Sequence, residues 1–322
     1  MVKYIIQGIQ SQFRRNMIKG TYIFYADGKE IARHANVITK FGKRFLTNFI
    51  AGNEKTLSKS MAFGIDSTTA TELDTRLGFE FYRTPVQFGS TDIQTENETT
   101  TYSVVYKATI PQDVSGLISE VGIYPEVRKS LNIFDSKFIT DFDSQLDWTN
   151  APELATANSK VGPYLLNMVS NNNAAREYTS NISLLDLSGY SVNDSIRLAY
   201  YKYDDNLASI KIRLYSSATA YYETTITPPS GTGHFISSNI LLSSVLSGAT
   251  SPAPDSKNIN KLGIVLTPTS GNTTSVGMDA LRINDEDTFD PQFGLISRSV
   301  VTALSKVAGR QVDVEYRLDL GF

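Results

Sequence analysis

The chain has 322 residues, which at roughly 100–200 residues per domain predicts about two domains. Hydrophobic residues make up 41% and charged residues 20%, enough apolar material for a packed core and too little charge for a disordered chain. The net charge of −3 lacks the basic excess that a phosphate backbone requires, and the absence of cysteine removes disulfides, thiolate metal sites and thiol nucleophiles together.

In chain order, the first residues carry neither the apolar run nor the small-residue cleavage site of an export signal. No later stretch approaches the roughly 18 apolar residues of a membrane helix, so neither membrane insertion nor nucleic-acid binding is expected. The first 20 residues read as an arm that adds to a neighbouring subunit's sheet edge. Residues 22–25 and 31–35 read as strands joined at Asp27-Gly28. Thr39 can cap a helix in which Phe41, Phe45, Leu46 and Phe49 follow the 3.6-residue period toward the core, closed by Gly52, with Lys40, Lys43 and Arg44 on the wet face. A second short helical turn is expected at 71–77. Strict alternation at 103–110 and 312–320, with turn signals at Ser115-Gly116, Ser188-Gly189 and Ser270-Gly271-Asn272, marks antiparallel strands. The reading is mainly β.

Charge is unevenly spread. Residues 131–289 hold ten Lys plus Arg against sixteen Asp plus Glu, a charge of −6, and the remainder carries +3. Pro125 and Asp290-Pro291 mark the seams. These features predict a discontinuous β-sandwich shell with one short helix, formed by 1–130 plus 290–322, interrupted by an inserted β jelly roll at 131–289.

The flanks carry an ordered series: Asn36-Val37-Ile38-Thr39 with Gly42, then Met61-Ala62-Phe63-Gly64-Ile65, then Leu73-Asp74-Thr75-Arg76-Leu77 with Glu80 and Arg83. Tyr106-Lys107-Ala108 and Ser119-Glu120-Val121-Gly122-Ile123-Tyr124 follow, and after the gap Phe293-Gly294-Leu295-Ile296-Ser297-Arg298 with Lys306. This series resembles a β-rich structural module of tailed-bacteriophage virions found in tail, baseplate, neck and head-decorating proteins. The middle block, with Asp141-Phe142-Asp143, Leu146-Asp147-Trp148, Leu185-Asp186-Leu187-Ser188-Gly189-Tyr190 and Val276-Gly277-Met278-Asp279, resembles a jelly roll of the carbohydrate-binding-module type. The resemblance implies a non-enzymatic virion structural protein, assembled in the host cytoplasm and docked to other virion proteins as a symmetric homo-oligomer. Its projecting domain would contact a host-surface polysaccharide. A head-decoration or fibre protein is the alternative within that class, and a host-polysaccharide hydrolase or lyase the alternative outside it. By the same resemblance, Asp141, Asp143 and Asp279 are the expected ligands of a structural Ca²⁺, hard oxygen donors that would tie the first and last strands together.

His34 and His234 are the two histidines, read as a strand residue and a loop residue rather than a catalytic pair. Paired carboxylates that glycoside hydrolysis would need are available at Asp141, Asp143 and Asp147, at Asp204 with Asp205, and at Asp285, Glu286 and Asp287, each beside turn residues. Tyrosines cluster at Tyr200, Tyr201, Tyr203, Tyr215, Tyr221 and Tyr222. In strand alternation Tyr201 and Tyr203 share one face and Tyr200 takes the other. Two readings stay open for them, sheet packing and a sugar platform of Tyr201 and Tyr203 with Trp148.

Overall fold

The computed structural model describes residues 18–53, 60–96, 99–125, 138–171, 174–284 and 294–321. The leading arm up to residue 17 and the 285–287 acidic cluster lie outside them. The protein is mainly β. In chain order the elements are β1 (Lys19–Ala26), β2 (Lys29–Ala35), β3 (Val37–Ile38), α1 (Lys40–Ile50), β4 (Ser60–Gly64), β5 (Glu80–Pro85), β6 (Gln87–Glu96), β7 (Thr99–Ile110) and β8 (Gly116–Tyr124). Then come β9 (Phe138–Thr140), β10 (Glu153–Ala155), β11 (Leu165–Ser170), β12 (Arg176–Leu185), β13 (Ser195–Lys202), β14 (Leu207–Tyr215), β15 (Tyr221–Ile226), β16 (Gly233–Ile236), β17 (Ile240–Leu241), the short helix α2 (Leu242–Ser247), β18 (Ile259–Pro268) and β19 (Thr274–Asn284). The chain closes with β20 (Ser297–Lys306) and β21 (Val312–Gly321).

Contacts divide the chain into two units. One comprises Met1–Val114, Ile118–Lys129 and Asp290–Phe322, the other Ser115–Leu117 and Ser130–Phe289. The first unit holds two five-stranded sheets, ordered β2-β1-β21-β7-β6 and β3-β20-β8-β4-β5. Its core includes Tyr22, Phe24, Met61, Phe63, Phe79, Ile118, Val121 and Tyr316, all buried. Alternation puts Tyr22 and Tyr316 opposite each other across β1 and β21, with ring centroids 4.9 Å apart.

Residues far apart in sequence meet inside this unit. Glu120, fully buried, accepts from Arg298 Nε at 2.8 Å and from the backbone N–H groups of Gly78 and Phe79 at 2.9 and 2.8 Å. Arg298 Nη1 also donates to Asp74 at 2.9 Å. Burial pushes the Glu120 carboxyl up, and Arg298 with the two N–H donors pulls against it. Thr39 caps α1 by accepting from Gly42 N at 2.9 Å, while its own hydroxyl donates to Leu295 O. On α1, Phe45 and Leu46 are buried, whereas Phe41 and Phe49 are half-buried. The expected helical turn at 71–77 is instead a run of turns. The Asp74 carboxylate takes both the N–H and the hydroxyl of Thr71, a bond of the kind that opens a helix, but Arg298 holds the same carboxylate and no helix follows.

The second unit is a sandwich of a seven-stranded sheet, whose main path is β10-β11-β19-β13-β16 with β9 and β17 attached, and a four-stranded sheet ordered β12-β18-β14-β15. Ile196, Leu198, Leu281 and Ile283 from the first sheet and Ile210, Ile212, Leu214, Leu262 and Ile264 from the second share one core. Period-two alternation then leaves the intervening side chains of each strand on an outer face.

Candidate functional site

On the outer face of the seven-stranded sheet, Asp279 is fully buried and both its oxygens are engaged. Oδ1 accepts from Ser159 Oγ and Val161 N, each at 3.2 Å, and Oδ2 from Lys160 N at 3.0 Å and His234 Nε2 at 2.8 Å. The Ser159 hydroxyl meets the carboxylate and not the imidazole, so these three do not form a nucleophile relay. Asp143 accepts from Tyr164 N at 3.0 Å, and Asp143 N donates to Asp141 at 3.2 Å. Burial pushes the Asp143 carboxyl up to about 7, with Asp141 and Asp279 adding like-charge repulsion. Asp143 and Asp279 thus order the 159–164 segment, and Asp141 holds the turn into Asp143. Among the described residues, no group of three or more His, Asp or Glu is arranged to hold a metal ion.

Tyr201 and Tyr203 meet edge to face, with ring centroids 4.9 Å apart, while Tyr200 points into the core. Trp148 is not with them. It packs on the core against Phe142, centroids 5.5 Å apart. Asp204 accepts from Ser275 N and Thr274 Oγ1, and Asp205 binds Lys202 Nζ and Gly231 N, so both acids hold turns. His34 lies on β2, edge-on to Phe24, and burial lowers its pKa.

A richer constellation occupies the outer face of the four-stranded sheet. Lys211, Arg213 and Tyr215 project from β14 on the side away from core residues Ile210, Ile212 and Leu214. The register sets Arg213 opposite Glu223 and Tyr215 opposite Tyr221 on β15, and brings Arg213 beside Gly263 and Tyr215 beside Lys261 on β18. Glu223 accepts from Arg213 Nε and Lys211 Nζ, both at 2.7 Å. Glu177 accepts from Arg213 Nη1 at 3.0 Å and from the Tyr215 hydroxyl at 2.5 Å. The Tyr215 and Tyr221 rings lie 4.8 Å apart, with Arg213 over Tyr221 and Lys261 over Tyr215. Gly263 makes this possible. A Cβ there would come within 2.5 Å of a Glu177 oxygen and 2.9 Å of the Tyr215 ring. Burial and the bond to Glu177 push the Tyr215 phenol up to about 12. Burial would raise Glu223, but its bonds to Lys211 and Arg213 outweigh it and hold the carboxyl low. A carboxylate held ionised is a hydrogen-bond acceptor and a poor proton donor. The period-two run Lys211, Arg213, Tyr215 was the sequence signal for this face. Its partners across strands have no signature, because register comes from the fold.

No family model matches the chain, and no curated protein matches it. Among solved structures, it is similar to the family 30 carbohydrate-binding module of a Clostridium thermocellum cellulosomal cellulase, at 14% identity over 56% of this chain and 98% of that one, with a TM-score of 0.33. The family 11 module from Clostridium thermocellum in complex with a beta-1,3-1,4-mixed-linked tetrasaccharide is 14% identical over 46% of this chain and 94% of that one, TM-score 0.31. An exo-beta-agarase is 12% identical over 47% of this chain, TM-score 0.34, and the match spans 25% of the agarase's length. These are likenesses of β-sandwich fold alone.

Proposed function

We propose that this chain is a non-catalytic structural protein of a tailed-phage particle, built in the host cytoplasm, whose first unit docks among virion proteins and whose second unit binds a host-surface polysaccharide. The observation that carries the binding half is the Glu177, Lys211, Arg213, Tyr215, Tyr221, Glu223 and Lys261 face around Gly263. It combines aromatic rings with fixed donors and acceptors on a rigid sheet, the combination that sugar rings and their hydroxyls require. The docking half draws on the resemblance of the flanks. Its support is that, of the residues carrying it, Asp74, Glu120 and Arg298 make one bonded group within the first unit, and Thr39 bonds to Leu295 O just before β20.

Affinity electrophoresis of the full chain through gels containing envelope polysaccharides tests the assignment. Tyr221→Ala is expected to weaken retention about tenfold, or ~1.4 kcal/mol, and Arg213→Ala similarly. Tyr201→Ala, on the other sheet, should leave retention unchanged. Loss in Tyr201→Ala alone would move the site to the Tyr201 and Tyr203 face.

A further inference from the structure

The two edges of the first unit's β2-β1-β21-β7-β6 sheet differ in chemistry. The β2 edge, Lys-Glu-Ile-Ala-Arg-His-Ala, carries Lys29 and an Arg33–Glu30 ion pair, the charges that keep an edge strand from pairing with another chain. The β6 edge lacks that guard between Gln87 and Ile93. Its single charge there, Asp92, is drawn back across the sheet to Arg317 at 3.2 Å. Phe88 and Ile93 are 61% and 63% exposed, and Tyr102 beside Ile93 on β7 is 44% exposed.

A bulge between Phe88 and Ser90 gives this strand a particular self-complementarity. Phe88 pairs with Tyr106 and Ile93 with Tyr102, two β7 residues on one face, so Phe88 and Ile93 share a face although they are five apart. Antiparallel pairing of β6 with a copy of itself, about a two-fold axis at Thr91, then matches every position. Thr91 meets the partner's Thr91, Asp92 meets the partner's Ser90 hydroxyl, and Gly89 takes up the extra residue. Phe88 comes against the partner's Ile93, and Ile93 against the partner's Phe88. No like charges are opposed. We infer that β6 is a homodimerisation edge, which joins two copies of this chain into a continuous ten-stranded sheet. This goes beyond the glycan reading and does not depend on it.

The test uses the full chain, whose lack of cysteine makes an introduced thiol unambiguous. Sedimentation over micromolar to millimolar protein should show a monomer–dimer equilibrium. Phe88→Lys/Ile93→Lys, which changes exposed side chains only, should shift it to monomer with an unchanged circular dichroism spectrum. Thr91→Cys should oxidise to a covalent dimer, because directly opposed antiparallel residues fall within disulfide reach. Ile31→Cys on the β2 edge should give no covalent dimer while keeping the monomer–dimer equilibrium. A wild-type chain monomeric throughout, a dimer that survives the double lysine variant, or equal cross-linking from Ile31→Cys would each overturn the inference.

Discussion

The chemistry of Asp143 departs far from that of an ordinary aspartate, at about 7 against 3.8. Because the folded-state value lies above the unfolded one, its contribution is full below about pH 4 and is lost as pH rises through 7, where the buried carboxyl must ionise beside Asp141 and Asp279. The thermal midpoint should therefore decline from about pH 4 to about pH 7, and the slope should flatten in Asp143→Asn, whose amide oxygen still accepts from Tyr164 N. Calcium and chelator curves at the upper pH are expected to superimpose, since each Asp279 oxygen already accepts two hydrogen bonds. A rise with calcium would mean that an ion displaces those donors. At this scale the sequence spoke partly. Asp141-Phe142-Asp143 and Asp279 drew notice as acids, and they do influence one another. That a return segment at 159–161 and His234 would occupy Asp279 depends on pairing far along the chain, which no local spacing encodes. Trp148 reads as a sugar-stacking residue by type, and its half-buried ring packs against Phe142 at the core.

Among the elements, strands were legible because one buried face imposes period two, visible in the half-buried Lys211, Arg213 and Tyr221 rows as much as in the core. The α1 helix was legible from its phenylalanines and from Thr39, but the reason for Gly42 was not. The helix lies against the backbone entering β20, and a Cβ at residue 42 would fall 2.0 Å from the Ile296 carbonyl oxygen. Gly→Ala in an open helix stabilises by roughly 1 kcal/mol, whereas a clash with backbone that is itself hydrogen-bonded to Thr39 should cost about 1–3 kcal/mol. Gly42→Ala is thus expected to lower the denaturant midpoint. The sign decides, since a raised midpoint would place the helix away from β20. The 71–77 segment shows the converse limit: its composition suits a helical turn, and one carboxylate, Asp74, binds Thr71 and Arg298 and fixes turns in its place.

For the whole molecule, the first unit is closed by bonds between chain segments on either side of the second. β21 pairs with both β1 and β7, Tyr22 Oη meets Ser297 Oγ at 2.7 Å, and Arg298 holds Glu120 from 178 residues away. Both flanks are therefore needed for either to bury its core. In the unfolded second unit, the connection between them is a loop of about 160 residues. Replacing 130–289 by a turn of about five residues removes roughly five doublings of loop length, each costing ~0.6 kcal/mol, or ~3 kcal/mol in all. The shortened chain should accordingly fold cooperatively, with a dispersed amide spectrum and a denaturant midpoint at or above that of the first unit in the full chain. Calorimetry of the full chain should show two transitions, and the deletion should remove one. A deletion variant without fixed tertiary structure would mean that the flanks require the second unit in order to fold, and the division into two independently stable units would fall with it.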